Sequence, residues 1–177
     1  MKPMGLLRVA AATLTIAAGT MLVAAPAAKP VKLATSKPYG SGQTNATIDD
    51  AAVEGKVLRV TVTKPDAKPW EVGMTSIITE KLKAGDRISA TLWLRASQVQ
   101  PGKTGKVSAN IALAEPPRTN FGRAEFTLTD RFAPYKLEAT IPADMASHKV
   151  SLSLQIAYGQ QTIDVASVAA VNQGPAS

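Results

Sequence analysis

The chain has only two tryptophans, and one of them, Trp93, falls where a strand would turn it away from a core. In Arg87–Ala96, Ile88, Ala90, Leu92 and Leu94 take one face of a period-two pattern. Arg87, Ser89, Thr91, Trp93 and Arg95 take the other. An indole on a polar face beside arginines is either a platform for a ligand or a patch capped by another part of the chain. Its π face suits stacked C–H groups, and amides and guanidinium groups suit hydroxyl edges. Arg95, Asn110 and Gln155 fall on polar faces of alternating runs, and Trp70, after Pro69, offers a second aromatic at a loop-to-strand junction.

Catalytic chemistry finds little to use. His148 is the single histidine and there is no cysteine, which removes disulfides, thiol nucleophiles and cysteine-based zinc sites. No Ser–His–Asp constellation is visible. Glu71, Glu80, Glu115 and Glu125 show no pattern that pairs them as the facing carboxylates of a glycosidase. A polysaccharide lyase using Tyr, Arg and Gln is the one enzyme class left open, and none of its motifs stands out. The expectation is a protein that is not an enzyme.

The elements that must position these side chains read as all-β. Alternating or strand-like runs cover Val57–Thr63, Thr75–Glu80, Arg87–Ala96, Lys106–Ala114, Arg123–Leu128, Tyr135–Ile141, His148–Tyr158 and Gln161–Val171. Turn signals separate them, among them Gly85-Asp86, Pro101-Gly102 and Pro116-Pro117. About eight short strands with Gly-, Pro- and Asp-rich loops suggest a β-sandwich or barrel. The runs through Trp93, Asn110 and Gln155 share one arrangement, apolar on one face and polar on the other. If they are neighbours, they place these residues on one polar surface.

The ends differ from this pattern. Lys2 and Arg8 precede an apolar run, Val9–Val23, and Ala25-Pro26-Ala27 supplies small residues for cleavage, so 1–27 reads as a signal peptide. The run is about fifteen residues, shorter than the roughly 20 of a spanning helix. Residues 28–46, with Lys29, Pro30, Pro38 and Gly40, read as a flexible arm, 47–171 as the domain, and 172–177 as a disordered tail. Losing Lys2 and Arg8 with the leader lowers the net charge from +7 to +5. The basic residues are dispersed, without interleaved aromatics, and export argues against nucleic acid. A secreted or periplasmic location follows, with an acidic polysaccharide or anionic envelope lipids as the charge-matched partners and no membrane span after leader cleavage.

Pro69-Trp70-Glu71-Val72-Gly73-Met74, Leu82-Lys83-Ala84-Gly85-Asp86-Arg87 and Ala90-Thr91-Leu92-Trp93-Leu94-Arg95-Ala96 together resemble the first half of carbohydrate-binding modules of the family 4 and 9 type. Phe126–Tyr135 and the closing Thr162-Ile163-Asp164-Val165-Ala166-Ser167-Val168 continue the likeness, with Phe132 where a tryptophan is more usual. The resemblance covers roughly Glu54–Val171. It implies a galactose-binding-domain-like jelly roll that binds a polysaccharide on one sheet, with Trp93, Trp70, Arg95, Asn110 and Gln155 in the groove. It also implies a structural calcium ion held by Asp164 with oxygens from an early loop, either Asp49-Asp50 or Glu54-Gly55-Lys56, where the Glu54 and Lys56 backbone carbonyls would serve. A periplasmic structural or protein-interaction β-sandwich without sugar binding is the alternative.

Overall fold

A computed structural model describes residues 28–64 and 67–175. The expected leader, 1–27, lies outside the described residues, as do Ala176 and Ser177. Among the described residues there are eleven strands: β1 (Lys29–Pro30), β2 (Lys37–Tyr39), β3 (Gln43–Asp50), β4 (Gly55–Val62), β5 (Gly73–Ile78), β6 (Asp86–Val99), β7 (Gly105–Leu113), β8 (Asn120–Leu128), β9 (Ala133–Thr140), β10 (Val150–Gln155) and β11 (Gln161–Pro175). They form two antiparallel sheets. One runs β3-β4-β11-β6-β9, with β1 paired to the far end of β11, and the other runs β2-β5-β10-β7-β8. The fold is the expected all-β jelly-roll sandwich.

Period-two alternation explains the packing. Ile88, Ala90, Leu92 and Leu94 of β6 are buried, as are Val107, Ala109 and Ile111 of β7 and Leu152 and Leu154 of β10. Their alternate neighbours point to the two outer faces, so the core lies between the sheets and any binding surface must lie outside it.

Two expectations about the ends are corrected. The segment read as a flexible arm is hydrogen-bonded into both sheets. Val31 N–H donates to the Ala170 carbonyl (2.8 Å), Ala34 N–H to Ile77 (2.8 Å) and Thr79 N–H to Lys32 (3.0 Å). β1 and β2 are edge strands, which tolerate Pro30 and Pro38 because one side of an edge needs no N–H donor. They bind through backbone pairing rather than an apolar face, so hydropathy does not reveal them. They and β3 raise the strand number from about eight to eleven. The tail residues Asn172–Pro175 continue β11, where Asn172 Nδ2 donates to Asp86 Oδ2 (2.8 Å).

Candidate glycan-binding face

The two sheets divide the expected site. Trp93 and Arg95 lie on β6, in one sheet, while Asn110 on β7 and Gln155 on β10 lie in the other. All four point outward, so they occupy opposite surfaces of the sandwich. The similar patterning of the three runs reflects three outward polar faces, not three neighbouring strands. β7 and β10 are neighbours, and β6 belongs elsewhere.

Strand register builds the β2-β5-β10-β7-β8 face in rows. One row reads Tyr39, Gly73, Gln155, Ser108, Glu125, and the next Lys37, Thr75, Ser153, Asn110, Arg123. Paired side chains on one face of an antiparallel sheet lie within reach of each other, and each row holds a cross-strand side-chain hydrogen bond. Thr75 Oγ1 and Ser153 Oγ are 3.0 Å apart, Ser108 Oγ donates to Gln155 Oε1 (3.0 Å), and Asn110 Nδ2 donates to Asn120 Oδ1 (3.2 Å). Asn110 Oδ1 has no partner although it is shielded from solvent.

Over this ladder lies a cleft of about 500 Å³, within the size range of small-ligand sites. Its walls include Tyr39, Trp70, Arg118 and Asn120, and its floor Asn110, Ser153 and Gln155. Trp70 is 59% exposed on a short 3₁₀ turn, Pro69–Glu71. The turn is held at both ends. Glu71 Oε2 accepts the Lys68 N–H (3.1 Å), and Ile156 N–H donates to the Val72 carbonyl (2.8 Å). Lys68 Nζ lies 5.6 Å from the indole centroid. Tyr39 lies against the ladder because Gly73 leaves room for it. A Cβ on Gly73 would meet the Tyr39 hydroxyl at 2.7 Å and the Leu154 carbonyl oxygen at 2.3 Å. Burial pushes the Tyr39 phenol up, and the charge of Arg118 offsets part of that rise. Tyr39, Arg118 and Arg123 were not among the expected site residues. Tyr39 sat in the supposed arm, and the other two sat in or beside a Pro-rich loop with no binding motif.

The opposite face uses its polar groups differently. Asp164 is fully buried, and its carboxylate accepts from Arg59 Nε (2.7 Å), Arg59 Nη2 (2.8 Å) and Arg95 Nε (2.8 Å). Register puts Arg59, Asp164 and Arg95 in one row across β4, β11 and β6. Arg95 also binds Asp50 and lies over the Phe132 ring, 4.4 Å from its centroid. Arg95 is therefore a structural tie rather than a free ligand donor. Burial alone would push the Asp164 carboxyl up, but the hydrogen bonds from Arg59 and Arg95 outweigh it and hold the carboxyl below its ordinary value.

That donor set does not fit the calcium expectation at Asp164. Two guanidinium groups occupy the carboxylate oxygens and repel a cation, and calcium requires six to eight free oxygens. Glu54 lies in the exposed β3–β4 turn at φ 49°, and the Lys56 ammonium pairs with Asp49 (3.1 Å). Among the described residues, no three acidic, histidine or cysteine side chains converge as metal ligands.

Trp93 is 41% exposed on this face, paired across strands with Ser167 and Pro134. The hollow beside it is formed with Ala52, Val53 and Lys56 of the β3–β4 hairpin. The N-terminal segment does not line it. His148 is exposed in a turn with φ 66°. No helix among the described residues is long and apolar enough to cross a membrane.

No protein-family model matches the chain, and no curated protein matches it. Solved structures do. A CBM4 carbohydrate-binding module is 16% identical over 77% of this chain and 86% of its own, with a TM-score of 0.59. The CBM22-1 xylan-binding domain of Paenibacillus barcinonensis Xyn10C is 12% identical over 85% of this chain and 100% of its own, with a TM-score of 0.55. The Stig cyclase Fisc from Fischerella sp. TAU is 8% identical over 85% and 100%, with a TM-score of 0.59. The fold is thus that of carbohydrate-binding modules. At these identities the likeness concerns architecture, which also carries other functions.

Proposed function

We propose that this protein is an exported, non-catalytic carbohydrate-binding module that holds a polysaccharide on the outer face of the β2-β5-β10-β7-β8 sheet. The observation that carries this reading is the pairing of the exposed Trp70 rim with a ladder of polar side chains, Asn110, Ser153 and Gln155, on the floor of the same cleft. Trp70 stacks on the C–H face of a sugar ring. The amides of Asn110, Asn120 and Gln155 bond its hydroxyls. Trp93 and Arg95 belong to the opposite face and lie outside this site. Export follows from the basic, apolar and small-residue leader of the sequence.

Isothermal calorimetry or affinity electrophoresis against a glycan panel tests the reading. Trp70→Ala is expected to lose about 2 kcal/mol, ~30-fold in affinity, the scale of an aromatic anchor. Trp93→Ala is expected to change affinity less than about twofold. Absence of glycan binding by the wild type, or equal binding by Trp70→Ala, would overturn it.

A further inference from the structure

The cleft has a charge of one sign. None of its lining residues is acidic, and Arg118 and Arg123 stand among them. Arg118 makes no ion pair among the described residues. It ends the turn that begins at Glu115, through an N–H bond of 2.9 Å to the Glu115 carbonyl, and its own φ is 53°. Non-glycine residues are rare in this left-handed region.

The nearby carboxylates are already engaged. Glu115 pairs with Lys149 (3.0 Å) and Glu71 with Lys64 (3.4 Å). Glu125, at the end of its row, pairs with Lys106 (3.0 Å) and accepts from the Tyr158 hydroxyl (3.2 Å). Its contact with Arg123 is long, 3.5 Å. Arg118 thus stands in the cleft wall with no acidic partner among the described residues, and Arg123 with a single long one shared with Lys106. An acidic ligand supplies that partner, and a guanidinium matches a carboxylate with two parallel N–H donors.

We propose that this cleft, taken as the glycan site on the reading above, is selective for uronate-containing polysaccharide, whose ring carboxylates pair with Arg118 and Arg123 while Trp70 stacks on the sugar. Neutral sugars keep the stacking and the amide contacts but leave Arg118 without an acidic partner and Arg123 with only its long contact to Glu125. The aromatic then supplies affinity for the ring, and the arginines supply the choice of ring.

Affinity electrophoresis of the full chain separates the two layers of the proposal. The probes are polygalacturonate, alginate and glucuronoxylan, each with its carboxyl-reduced counterpart, and dextran sulfate as a polymer of charge alone. The variants are Arg118→Gln, Arg123→Gln and both together, with Lys29→Gln on the opposite sheet as the control for net charge. Thermal melts of each variant confirm folding, which both exposed arginines should leave intact. At least one uronate polymer is expected to bind, about tenfold more tightly than its reduced form, and the double variant to lose about tenfold. Lys29→Gln should stay within about twofold of wild type. Equal binding of uronate and reduced polymers, lost in Trp70→Ala, would overturn the charge selectivity and leave the glycan reading standing. Retardation by dextran sulfate as strong as by the uronates, with Lys29→Gln as damaging as the arginine variants, would also overturn it. Binding to none of the polymers would remove both readings.

Discussion

The two outer faces of the sandwich carry one tryptophan each and several arginines each, yet they handle their polar groups in opposite ways. On the β3-β4-β11-β6-β9 face the charges are spent internally. Asp164, Arg59, Arg95 and Asp50 form a network that ties three strands and the start of the β3–β4 turn together. On the β2-β5-β10-β7-β8 face the polar groups are aligned but not exhausted, since Arg118 lines the cleft with no ion pair among the described residues. The comparison teaches that residue type does not identify a site. Arg95 and Arg118 are both arginines beside an aromatic, and only the one without an internal acid is available to a ligand.

The largest effect is expected from removing the acid at the centre of the network. Asp164→Asn leaves Arg59 and Arg95 facing each other across a buried site, and is expected to cost about 3 kcal/mol. This is the low end for a broken buried pair, because Arg59 is 36% exposed and can recover hydration. A fall in melting temperature of roughly 10 °C would follow, with glycan affinity unchanged. If affinity fell while stability held, the roles of the two faces would be reversed. Trp70→Ala is the mirror experiment, with ~30-fold weaker binding and a melting temperature within a few degrees of wild type. Calorimetry of both variants reads both quantities.

The sandwich itself was legible because alternation reports burial directly. Every apolar partner of Trp93 on β6, from Ile88 to Leu94, is in the core, and Trp93 does face outward. Sheet membership was not legible, since β6, β7 and β10 carry the same period-two signal. Which of them pair is decided by long-range connections. Trp70, Asn110 and Gln155 therefore do line one cleft, while Trp93 and Arg95, expected beside them, lie on the opposite face. Tyr39 escaped notice because β2 is a Pro-containing edge strand held by backbone pairing to β5. Asp164 stood out as an acid in an apolar strand, but its partners, 105 and 69 residues away, left no local trace.

Gly73 shapes the cleft face at one backbone position. Its missing side chain seats Tyr39 against the ladder, and Gly73→Ala places a methyl group 2.3 Å from the Leu154 carbonyl oxygen, where backbone must shift. A loss of about 1–2 kcal/mol in stability is expected, together with weaker glycan binding as Tyr39 leaves the cleft wall. Tyr39→Phe keeps the ring and removes only the hydroxyl, so it should retain the fold and most of the affinity. Chemical denaturation and calorimetry on the two variants separate seating from chemistry, and a Gly73→Ala protein as stable as wild type would contradict the close approach.

The smallest effect is a pH dependence that belongs to one face only. Asp164 is held below its ordinary value because hydrogen bonds from Arg59 and Arg95 overcome the opposing effect of burial. Between that lowered value and the unfolded carboxyl near 3.9, the unfolded chain binds a proton that the folded chain refuses. Stability therefore rises with pH through this window. The contribution is complete above about pH 5 and is lost as the pH falls through the folded value. Asp164→Asn has no such proton to bind. The gap in melting temperature between wild type and Asp164→Asn should accordingly be widest near pH 6 and narrow by a few degrees at pH 3. A gap that stays constant, or widens on acidification, would mean that the Asp164 carboxylate is not the charge holding the three strands together.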